Sequence, residues 1–129
     1  MSFREDHNLE DRILQILFDE EYYRPEHHFG RPFLSAYQIA IEFTRRFPEV
    51  IQQFGHPIGS RDSGVNFSLA SYIAGQLSQR IRSHQIDDME GGFLSNRHLR
   101  NISFNHNAEC ITSSLTGTQY DLSLFRLRG

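Results

Sequence analysis

The shortest stretch able to do chemistry is His106-Asn107-Ala108-Glu109-Cys110, which sets a thiol close in sequence to an imidazole and a carboxylate. Cysteine catalysis needs an accessible thiolate in an electropositive setting with a histidine in hydrogen-bond reach. A small hydrolase around His106 and Cys110 is therefore one expectation. Against it, Cys110 sits beside Ile111 where a strand should begin, and a free cysteine is among the most buried residue types. An inert, buried thiol is the favoured reading.

Seven histidines raise the question of a metal. Zinc on a helix takes paired ligands such as H-E-x-x-H, which put two imidazoles on one face. Here Glu26-His27-His28 places adjacent rings in a loop, and His56, His84, His98 and His106 are scattered. His84, Asp87, Asp88 and Glu90 gather before Gly91-Gly92, and hard cations prefer such carboxylate oxygens. They lack the alternating acids and distal glutamate of an EF-hand, so a solvated charged loop is expected. Neither a metal nor a cofactor is assigned.

All 13 basic side chains are arginine; the chain contains no lysine. That excludes a Walker A phosphate loop, a Schiff-base lysine and a Ser–Lys dyad. The loop Gly59-Ser60-Arg61-Asp62-Ser63-Gly64 resembles an anion nest ahead of a helix, yet Val65 stands where the phosphate-loop lysine must be. A tight turn, with Arg61 as a weak anion contact at most, is expected there.

Two groups of residues carry binding expectations. Tyr22, Tyr23, Phe29 and Phe33 interleave with Arg24, His27, His28 and Arg31, and aromatic residues with arginine are the composition of interface hot spots. The second group is Arg61, Arg80, Arg97, His98, Arg100 and Arg126, which could contact an anion or a nucleic-acid backbone. Helices followed by a hairpin also match the element order of a winged helix-turn-helix, in which a helix enters the major groove and wing arginines touch phosphate. A net charge of -3 argues against that reading, although residues 80–129 carry six arginines against five carboxylates.

These side chains need a frame. At 129 residues, with 11 Phe and 5 Tyr, the chain has the size and apolar content of one domain with a real core. No apolar run approaches the roughly 18 residues of a membrane span. The first residues lack the apolar stretch of a signal peptide. A lone cysteine excludes an internal disulfide and gives no reason to expect secretion. The expected setting is the cytoplasm, without membrane contact.

Leu9, Ile13, Ile16 and Leu17 form one helical stripe and predict a helix over 8–21, capped by Asp6 or Asn8. Residues 22–33, with Pro25, Gly30 and Pro32, read as a loop. Ser35-Ala36-Tyr37-Gln38 is a capping box, opening a helix with Ile39, Ala40, Phe43 and Phe47 on its apolar face. Pro48 suits a first helical position and Gly55 a C-cap, so 48–54 predicts a short separate helix. Ser68 opens another, to about Ser83, with Leu69, Ile73, Leu77 and Ile81 spaced four apart. It shares the pattern Ile-Ala-x-x-apolar with the second helix, a resemblance that amphipathic helices reach by convergence. Beyond Gly91-Gly92, a short helix over 95–101 and a brief strand at Ile102–Phe104 are expected. Segments 109–115 and 119–127 around Thr116-Gly117-Thr118 then predict a hairpin, with Leu122 and Leu124 on one face.

The expectation is thus a single α+β domain, three to four helices followed by a short C-terminal antiparallel β-hairpin. Functionally it reads as a small interaction or regulatory protein without catalysis, binding a protein partner or itself. A winged-helix-like DNA-binding module is the alternative, and the hydrolase comes third.

Overall fold

The computed structural model describes residues 8–20, 27–55, 58, 68–95, 97–98, 101–106, 109–114 and 122–128. Four helices are described: α1 (Leu9–Phe18), α2 (Ala36–Arg46), α3 (Pro48–Phe54) and α4 (Leu69–Arg82). Five strands accompany them: β1 (Leu34–Ser35), β2 (Met89–Leu94), β3 (Asn101–His106), β4 (Glu109–Ser114) and β5 (Leu122–Leu127). The fold is α+β, with helices first and antiparallel strands dominating the C-terminal part, as the sequence predicts.

The helix starts follow local chemistry. Ser35 Oγ accepts from the Gln38 amide at 3.1 Å while Gln38 Oε1 accepts from the Ser35 amide at 2.7 Å, so the capping box is complete. Ser68 and Ser71 repeat the device at α4. Pro48 opens α3, and Gly55 closes it in the left-handed region at φ 76°. α1 is shorter than expected and ends at Phe18. Asn8 stands at its N-cap without a side-chain cap bond, at φ 50°.

The core forms where the apolar stripes meet. Ile13, Ile16, Ile39, Phe43, Leu69, Ile73 and Leu77 are buried, closed on the sheet side by Met89 and Phe125. α2 lies centrally, packed on α1, α4 and the sheet. Phe54 and Tyr72, with ring centroids 5.5 Å apart, tie α3 to α4.

The strands correct the expected pairing. β5 does not pair with β4. It is the central strand of a three-stranded antiparallel sheet in the order β1-β5-β2, with Leu34 opposite Phe125 and Gly92 opposite Leu124. The hairpin is made instead by β3 and β4, with Ser103 opposite Thr112 and Asn105 opposite Cys110. Leu122 and Phe125, three residues apart on opposite faces of this strand, are both buried. The charged loop expected over 84–90 gives way at Met89 to β2, where two glycines weaken strand propensity and the pairing with β5 overrides it. The helix expected over 95–101 is not present among the described residues. Arg97 and His98 form a turn there, and Ser95 Oγ accepts the Arg97 amide at 3.2 Å. The β3–β4 hairpin meets the helices through a parallel stack of Tyr37 on Phe104, centroids 5.1 Å apart.

Candidate interaction surface

Arg126 organises one face of the molecule. It lies on β5 opposite Glu90 of β2, and its Nε donates to the Glu90 carboxylate. Its Nη1 donates to two backbone carbonyls of the preceding loop, Phe29 O at 2.7 Å and Arg31 O at 3.0 Å. The guanidinium also lies over the Phe33 ring, 4.3 Å from its centroid. One planar fork thereby fixes a loop whose described residues, 27–33, form no strand or helix, a task suited to arginine rather than lysine.

The loop tightens against itself as well. The His27 ring accepts the Phe29 amide through Nδ1 at 3.1 Å, and Gly30 donates to His27 O at 2.9 Å. Gly30 adopts φ +88°, which L side chains rarely take, and a Cβ there would meet Arg126 Nη1 at 3.7 Å. His27 stacks on His28, centroids 4.8 Å apart, and Phe29 lies tilted against His28 at 4.2 Å. The outcome is an aromatic side chain held outward: Phe29 is 71 % exposed. Beside it, a pocket of about 560 Å³ is lined by His27, Phe29, Gly30, Arg31, Pro32, Phe33 and Arg126. Arg31 extends the surface to Phe18, also exposed, with its guanidinium 5.6 Å from that ring.

The other sequence candidates fall in several places. Tyr22, Tyr23, Arg24, Arg61 and Arg100 lie outside the described residues, as does the loop 59–64. Arg80 on α4 pairs with Glu10 on α1. Arg97 and His98 are exposed in the turn after β2. Glu90 faces Arg126 and Arg128, which separates it from His84 and Asp87. No three histidine, cysteine or carboxylate side chains gather around a possible metal among the described residues.

Cys110 is a correction. The expected strand begins there, but the thiol is exposed, because a two-stranded ribbon leaves one of its faces to solvent. Cys110 stands opposite Asn105 and His106 opposite Glu109. These are consecutive rungs, and consecutive positions of a strand belong to opposite faces.

A second cleft, of about 680 Å³, opens between α1, α2 and β3. Its charged groups answer one another: Arg46 bonds Asp19 at 3.0 Å and lies 3.8 Å from Glu42, which also binds Arg45. Sequence reasoning named Phe29, Phe33 and Arg31 but missed Phe93 and Leu94, both exposed. For the last two the only available signal was their place beside Gly91-Gly92 in an unrecognised strand. No helix among the described residues is long and apolar enough to cross a membrane. Compared with known proteins, the chain matches no protein family, no curated protein and no solved structure.

Proposed function

We propose that this chain is a non-catalytic interaction domain that binds a protein partner through the surface built on Phe29, Phe33 and Arg31. The observation that carries the reading is the exposed Phe29 side chain on a loop whose carbonyls Arg126 holds in place. An aromatic presented from a fixed backbone loses little freedom on binding, and such anchors concentrate binding energy at interfaces. The neighbouring arginines supply the polar part of the same composition. A single exposed thiol suits a reducing compartment, and the cytoplasm is where we place the activity.

Selection of a displayed random-peptide library on the immobilised protein tests the proposal. Enriched peptides are expected to share a motif and to bind Phe29→Ala at least about tenfold more weakly than the parent. A thermal melt of the variant serves as the folding control. Failure to enrich any motif, or equal binding to both proteins, would overturn it.

A further inference from the structure

The three-stranded sheet ends on one side at β2. β2 pairs with β5 on one side only, and among the described residues no strand lies on its other side. Proteins blunt such edges with lysine, proline, a bulge or an outward charge. β2 reads Met-Glu-Gly-Gly-Phe-Leu, and its one charge, Glu90, is held by Arg126 and Arg128. Phe93 is 72 % exposed and Leu94 is 40 % exposed, so the unprotected edge is also apolar.

The sequence around β2 specifies which strand fits. Asp87 and Asp88, both exposed, lead into it, and Arg97 and His98, both exposed, follow it. A parallel neighbour of the same sequence would set acid beside acid and base beside base. An antiparallel one sets the acidic entry of each copy against the basic exit of the other. Antiparallel copies of one strand are related by a two-fold axis normal to the sheet, so one residue must face itself for the side-chain faces to match.

Two glycine-centred registers are then available. Centring on Gly91 places Asp88 against Leu94 of the second copy. Centring on Gly92 brings Asp87 toward Arg97 and seats Phe93 across from Gly91, where an aromatic can cover a residue without a side chain. It also draws the two Phe33 rings toward the axis, since a Cβ at Gly92 would lie 3.8 Å from Phe33.

We infer that the chain forms an antiparallel dimer through the free edge of β2, centred on Gly92, joining two three-stranded sheets into one of six strands. A six-residue ladder covers less than the roughly 1,200 Å² of a standard interface, so the dimer is weak and follows concentration. It borders the proposed partner surface at Phe33 but leaves Phe29 outside the ladder, so the two readings can be tested apart.

Sedimentation velocity from micromolar to millimolar protein tests the pairing. The mass is expected to climb from the 15.1 kDa of one chain toward twice that value. Phe93→Lys, at an exposed edge position, should hold the protein at one chain while its thermal melt stays that of the parent. Asp87→Arg and Arg97→Asp should each weaken association about tenfold, because two contacts change per dimer. The double variant should restore it, and Phe29→Ala should leave it unchanged. A single-chain mass at every concentration, wild-type association in Phe93→Lys, failure of the double variant to recover, or loss of association in Phe29→Ala would each overturn the inference.

Discussion

Arg126 shows how much one side chain can fix. Its guanidinium joins β5 to Glu90 of β2, to two loop carbonyls and to the Phe33 ring. Replacing it by alanine leaves Glu90 with Arg128 alone, at 3.5 Å, and releases the loop carbonyls. Arg126→Ala is expected to destabilise the protein by about 2 kcal/mol, read as a lower urea midpoint, since charge-assisted bonds to a carboxylate and carbonyls are lost together. Lysine at 126 should recover less than half of that loss, because an ammonium cannot span the same acceptors and stack on the ring. None of this was legible at 126 itself, where an arginine between Phe125 and Leu127 looked like a candidate for an anion. Only the register that sets it opposite Glu90, and the fold of a loop some 95 residues earlier, turn its donors inward.

At the level of elements, the helices were readable because their signals are local. Ser35 with Gln38 and Pro48 with Gly55 each lie within one or two turns, and the apolar stripe of α4 repeats every four residues along one helix. Strand pairing has no such local sign. β2 carries two glycines and no alternation, and the turn signal Thr116-Gly117-Thr118 points 119–127 to its near neighbour 109–115 rather than to β2 and β1. The β3–β4 hairpin shares no ladder with the main sheet, and the Tyr37–Phe104 stack is a principal tie between it and α2. Phe104→Ala is expected to speed amide exchange across 101–114 at least several-fold while α2 and α4 keep their protection, an aromatic pair being worth about 0.5–1.5 kcal/mol. Equal loss of protection in the helices would show that hairpin and body open as one unit.

For the whole molecule, the balance of charge matters more than the number of arginines. Arg80, Arg126, Arg45 and Arg46 face carboxylates within the chain, and the net charge is -3. Titration with duplex DNA at low and moderate salt is accordingly expected to give no steep salt slope, the sign of phosphate neutralisation. Fold class and four helices were legible in the sequence, as was the aromatic loop containing Phe29. The convergence of that loop on β5 was not, because it joins residues far apart along the chain. The central position of β5 has a consequence for synthesis. Made after every other described strand, it is the one that β1 and β2 both require, so in each growing chain the main sheet waits for its middle. Until then β2 has neither edge occupied, and the interval before Leu122–Leu127 emerges is when a nascent chain is most open to pairing with the wrong strand.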